Sequence, residues 1–190
     1  MTAALGVNKQ FGGDMARDRI IEELGTAYRT EIAGYHFYTT AAALVEDPKG
    51  RSVFANLAKD ELAHMVVVGK IAESVKNGLG WLSYEQALAE GFALTQNIPY
   101  PAENDLIKRL ATNQTDTNAV QIAMENEEAA VEFYSRLLKE AGAPAEKVVL
   151  TKLLEMEKGH LKILRWEYES LTKTGFWCGE MEFSVEKETE

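Results

Sequence analysis

Several things are scarce in this sequence, and each scarcity closes a possibility. There is one cysteine, Cys178, so the chain can form neither an internal disulfide nor a Cys-x-x-Cys metal knot. A lone thiol suits a reducing compartment, and a cytoplasmic location is the expectation drawn from it. Only 4 prolines occur in 190 residues, which permits long unbroken helices. Basic residues are outnumbered, 20 Lys and Arg against 30 Asp and Glu, for a net charge of −10. Such a chain lacks the positive field that nucleic acid requires and concentrates cations instead. No apolar run approaches the ~20 residues that span a bilayer. The opening "MTAALGVNKQFGGDMARDR" has no apolar core followed by a cleavage site, so no signal peptide is expected. Residues 1 to about 14 read as a loose lead-in.

What is present is helical periodicity. From about Ala16 to Glu46, the residues Ile20, Leu24, Ala27, Glu31, Gly34 and Tyr38 recur every three or four positions. "EDPKG" breaks this helix, and Pro48 suits the first turn of a second, from about Lys49 to Asn77, which stops at "NGLG". Two more long helices cover about Thr117 to Ala141 and Ala145 to Thr172, with "AGAPAE" between them. Residues from about 78 to 114 are too many for a tight hairpin and read as a crossover along a bundle. The crossover carries short helices in "SYEQALAEGFAL", where Ser83 and Gln86 have capping-box spacing, and in "AENDLIKRLA". Its aromatics Trp81, Tyr84, Phe92 and Tyr100 are expected to cover the bundle or to form a subunit contact. In the tail from 173 to 190, the aromatics should pack down and Cys178 should be a small packed side chain. The fold class is therefore all-α: one domain, a four-helix bundle of two helical hairpins, about 16–77 and 115–172, joined by a long crossover.

The hairpins repeat each other. At an offset of 96 residues, "AYRTEIAGYHFY" lies on "AMENEEAAVEFY". Ala27 falls on Ala123, Glu31 on Glu127 and Tyr38 on Tyr134. Pro48 then falls on Pro144, Leu57 on Leu153, Glu61 on Glu157 and His64 on His160. Each hairpin thus carries a glutamate on its first helix and Glu-x-x-His on its second. At 1.5 Å per residue, both glutamates stand ~20–24 Å from the turn. Glu61 and His64, three apart, lie within about 60° on one helix face. Packing the hairpins together brings four glutamates and two histidines to one level.

Four buried carboxylates would each cost several kcal/mol if left unpaired, and no lysine or arginine occupies the matched positions. Two divalent cations would cancel the charge. Each would receive one histidine, one terminal glutamate and two shared glutamates, the arrangement described for ferritin-like di-iron and di-manganese bundles. Carboxylate and imidazole donors suit iron or manganese, and the missing thiolates disfavour structural zinc and iron–sulfur centres. The competing reading is of surface acids with two core histidines, in a bundle used for protein contacts; it leaves the doubled register unexplained.

The doubled pattern resembles the rubrerythrin-like branch of the ferritin-like superfamily. That resemblance implies metal ligands at Glu31, Glu61, His64, Glu127, Glu157 and His160, with two iron ions as cofactor, or manganese or a mixed pair. It implies that Tyr38 and Tyr134, seven residues after Glu31 and Glu127, hydrogen-bond to ligand carboxylates; otherwise they are core aromatics with a satisfied hydroxyl. It implies an oxidoreductase that reduces peroxide or dioxygen, with a ferroxidase for iron storage or delivery as the alternative. A homodimer is expected. Two departures stand out. No rubredoxin-type cysteine pairs are present, so electrons would come from an external donor protein. The neighbours three residues either side of Glu127 are Met124 and Ala130, so the repeat does not pick out the second glutamate that rubrerythrins carry on this helix, and only a π-bulge would bring another in. Glu125 and Glu128 have the three-residue spacing but face about 100–160° away from Glu127, with Glu128 held in reserve. Asp60 could orient a histidine, yet its counterpart is Met156, which favours an exposed acid. His36 lies about 140° around the helix from Glu31 and reads as surface or interface.

Overall fold

A computed structural model describes residues 4–91, 95 and 98–179. Its helices are α1 (Ala4–Leu44), α2 (Pro48–Lys76), α3 (Tyr84–Gly91), α4 (Asp105–Thr112), α5 (Asp116–Glu140) and α6 (Pro144–Thr174). The all-α expectation holds: α1 packs along α2 and α5 along α6, as two hairpins of a ferritin-like bundle. Local chemistry sets the boundaries. Asp47 caps α2 by accepting from the Lys49 N–H at 2.8 Å, with Pro48 beginning the helix. Ser83 and Gln86 close the expected capping box on α3, at 3.0 and 3.2 Å. Thr115 caps α5, and Gly175 ends α6 with φ 78°.

The first helix departs from expectation, beginning at Ala4 rather than near Ala16. Residues 1 to about 14 were expected as a loose lead-in, yet the glycines at 12 and 13 each cost only about 1 kcal/mol within a helix. Elongation from a packed stretch is far easier than nucleation.

Two apolar layers fill the bundle. Phe37, Val53, Phe54, Leu57, Val120 and Leu164 form one, at the end where α1 turns into α2. Leu24, Val67, Ile71, Leu137, Val149 and Leu153 form the other, at the end where α5 turns into α6. The two hairpin turns therefore lie at opposite ends, and the crossover carries the chain between them. The crossover is fastened to α1. Asn104 accepts from the N–H groups of Leu106 and Ile107 and donates its side-chain amide to the Ala33 carbonyl at 2.9 Å. His36 Nε2 meets the Pro99 carbonyl at 3.0 Å, and its ring lies 4.6 Å from that of Tyr100. His36 thus joins α1 to the crossover. Tyr84 is buried and Trp81 partly so, while Tyr100 is 68% exposed. Phe92 and the acidic end from 180 to 190 lie outside the described residues.

The tail needs two corrections. Trp177 packs down as expected, but Phe176 is 72% exposed and Cys178 is exposed rather than packed. In an extended segment neighbours point to opposite sides, so seating Trp177 turns both outward. The Trp177 indole N–H donates to Asp116 at 2.7 Å, and its ring meets Phe54 edge-on at 5.7 Å. Buried Glu167 accepts from the N–H groups of Cys178 and Gly179, at 2.8 and 2.9 Å. Gly50 makes room for the indole, because a Cβ there would lie 2.3 Å from it. Gly50→Ala should therefore cost about 1–3 kcal/mol by overpacking. Denaturant melts and a red shift of tryptophan emission would check this, and an unchanged melt would contradict the docking.

Candidate metal centre

Between the two apolar layers lies a polar one. Glu31 on α1, Glu61 and His64 on α2, Glu127 on α5, and Glu157 and His160 on α6 are each at most 3% exposed. The structure brings all six together. The histidine rings lie nearly parallel, 5.5 Å apart, each with Nδ1 turned toward the carboxylates. His64 Nδ1 lies 3.0 Å from Glu157 Oε1, 3.8 Å from Glu31 Oε2 and 3.9 Å from Glu61 Oε2. His160 Nδ1 lies 3.4 Å from Glu157 Oε2, 3.6 Å from Glu127 Oε2 and 3.9 Å from Glu61 Oε1. Glu61 and Glu157 each direct one oxygen toward each histidine, the disposition of a bridging carboxylate. Glu31 and Glu127 each serve one histidine.

Both tyrosines reach across to the opposite hairpin. Tyr38 on α1 donates to Glu127 Oε1, and Tyr134 on α5 donates to Glu31 Oε1. Each hydroxyl thereby occupies the oxygen that faces away from the histidine and leaves Oε2 directed into the layer.

The layer contains polar atoms that protein groups do not satisfy. His64 Nδ1, His160 Nδ1, Glu127 Oε2 and Glu157 Oε1 are buried with no hydrogen-bond partner among the described residues. The 3.0 Å approach of His64 to Glu157 thus lacks the alignment of a hydrogen bond. Buried polar atoms are rarely left so, and atoms converging on a common point rather than on each other suit cations between them. Donor atoms of Glu61, Glu127, Glu157 and His160 lie within 4.8 Å of one another, as do those of Glu31, His64 and Glu157. Two overlapping donor sets that share Glu157 suggest a dinuclear metal site.

Without metal, protons must neutralise this charge. Burial pushes the Glu61 carboxyl far up, helped by Glu31 and Glu157. Burial and then Glu157 raise Glu127 to about 7, against the pull of His160. Burial alone would lower both histidines, but the surrounding carboxylates more than offset it. Glu157 and Glu31 lift His64 to about 10, while Asp60, Glu127 and Glu157 hold His160 well above its usual value. Glu157 is opposed by burial, yet the two histidines keep its carboxyl below the ordinary range.

The family model for Rubrerythrin matches residues 22–168, from within α1 to within α6. The chain belongs to the Rubrerythrin family. No curated protein and no solved structure matches it. This rubrerythrin-family chain has no rubredoxin-type cysteine pair within its 190 residues. None of its described helices is long and apolar enough to cross a membrane.

The remaining acids of α5 point elsewhere. Glu128 pairs with Arg165 at 2.8 Å and Glu125 with Arg109, both at the surface. The helix is regular throughout, without the π-bulge that would turn either inward. Asp60 requires a correction. It is 17% exposed on its side chain, and its Oδ2 accepts from His160 Nε2–H at 3.3 Å. Symmetry of the repeat argued against that role. The contact joins α2 to α6, and nothing within either hairpin could have signalled it.

Proposed function

We propose that this chain is a di-iron oxidoreductase that reduces hydrogen peroxide or dioxygen with electrons from a separate donor protein. The observation that carries this reading is the buried layer of six donors with orphaned atoms facing inward, in a chain of the Rubrerythrin family. Glu31, His64, Glu127 and His160 would hold the two ions terminally, with Glu61 and Glu157 between them. Iron fits a site of carboxylates and imidazoles without thiolate.

Reducing one peroxide to two waters takes up two electrons and two protons, and a bound ferrous pair supplies the electrons. The protein's part is geometric. Tyr38 and Tyr134 hold the carboxylates of Glu127 and Glu31, Glu61 and Glu157 would be shared by the two ions, and the apolar layers on either side exclude bulk water. Asp60 connects His160 to the solvent-facing side of α2.

The test is anaerobic ferrous loading followed by a peroxide pulse. Expected are two irons per chain, oxidation of the pair by one peroxide, and repeated turnover when a reductant is supplied. More than two irons per chain, accumulating with turnover, would replace this reading with iron storage. Loaded protein that does not respond to peroxide or dioxygen would end it.

A further inference from the structure

The two halves of the site are not equivalent, although the repeat that produced them is. In His160, Nε2 donates to Asp60, and that bond fixes the proton on Nε2 and leaves the Nδ1 lone pair for a metal. In His64, Nε2 is buried and has no hydrogen-bond partner among the described residues. The position matching Asp60 is Met156, which is buried and cannot accept in its place. The carboxylates do not separate the two positions, since Glu61 and Glu157 each direct one oxygen toward each histidine; the outer partner of the imidazole does.

We infer that the two metal positions fill in order: the His160 position holds a resident divalent ion, and the His64 position holds a weaker, exchangeable one. This rests on reading the six residues as metal donors. Asp60 acts as a positioning residue, since it would touch the ion only through His160. An accepting outer partner orients a ligating histidine and strengthens its other nitrogen as a donor, which His160 has in Asp60 and His64 lacks among the described residues. The first ion also draws on both shared glutamates, so the second meets carboxylates whose charge is already partly cancelled. Losing an outer partner of a ligating histidine typically costs roughly 10–100-fold in metal affinity, and the two positions should differ by about that factor.

The experiment is a titration of the full metal-free chain with Mn²⁺, followed by calorimetry and by the EPR signals of isolated and paired Mn²⁺. Two resolved steps are expected, with an isolated ion at one equivalent. His64→Ala should keep the tighter step and lose the weaker, and His160→Ala should lose the tighter. Asp60→Ala should weaken the tighter step roughly 10–100-fold and leave the weaker unmoved. Asp60→Asn, whose amide oxygen still accepts from Nε2, should recover part of the loss. A single affinity for both ions in the wild type, or His64→Ala weakening the tighter step, would overturn the ordering. So would Asp60→Ala lowering both steps alike, which is what a purely structural role would produce. Chains that bind no Mn²⁺ at all would defeat the dinuclear reading itself, whereas two equal sites would defeat only the ordering.

Discussion

Glu61→Gln and Glu157→Gln should each abolish pairwise metal binding, yet they should move the stability of the metal-free protein in different ways. Both side chains direct one oxygen toward each histidine. Replacing either carboxylate by an amide removes a donor from both positions and half a neutralising charge from each ion. The loss in affinity should exceed the roughly 10–100-fold that follows loss of a mere outer partner. The metal-free fold separates the two. Burial, reinforced by Glu31 and Glu157, drives the Glu61 carboxyl far above its ordinary value, which favours its neutral form in the metal-free protein. Glutamine mimics that neutral group, and Glu61→Gln should leave the metal-free melt nearly unchanged. Glu157 is the opposite case. The two histidines hold it ionised despite its burial, and it is the counter-charge nearest to both. Glu157→Gln strands buried imidazolium, and breaking a buried pair from one side costs about 3–5 kcal/mol. Chemical denaturation of metal-free protein checks the contrast. Equal melts for the two variants would mean that the proton distribution in the empty site is wrong.

Much of this is legible in the sequence alone, and the reason is duplication. A single Glu-x-x-His on a helix carries little information. The same pair 96 residues later, each preceded at the same distance by another glutamate, fixed both the hairpin architecture and the level at which the donors meet. Helix boundaries followed where the sequence carries a start or stop signal, as at Pro48, at the Ser83 and Gln86 pair and at "NGLG". What could not be read was whatever depends on the packing of one hairpin against the other. Tyr38 and Tyr134 were placed near carboxylates, but the sequence did not say that each serves the glutamate of the opposite hairpin. Asp60 was set aside because its repeat partner is Met156, and its contact with His160 arises only once α2 and α6 lie side by side. The tail misled for a related reason. Its aromatic content was plain, but which ring enters the core is set by the gap above Gly50, a residue far away in sequence.

Metal affinity should fall steeply as the pH is lowered, and more steeply below about pH 7 than above it. The sign follows from which groups hold protons in the empty site. His64 is lifted to about 10, so it is charged near neutrality, and the carboxylates around His160 favour its charged form as well. Burial pushes Glu61 toward its neutral form. A metal ligand must be deprotonated, so loading the site near pH 8 should expel protons from His64, His160 and Glu61. Glu157 is already ionised and gives up none. Glu127 titrates at about 7 in the empty site, so below that pH a further proton competes. Each released proton adds a factor of about 10 in overall affinity per pH unit, and the slope should therefore rise by about one unit of log K per pH unit on passing below pH 7. Calorimetric titration with Mn²⁺ in buffers of different ionisation enthalpy counts the protons directly. Proton release that stays constant from pH 8 to pH 6 would show that Glu127 is not the group in competition. The same competition bears on function: a site assembled from acids that hold one another's protons exchanges those protons for cations, so acid should strip the metal at pH values where the helices themselves persist.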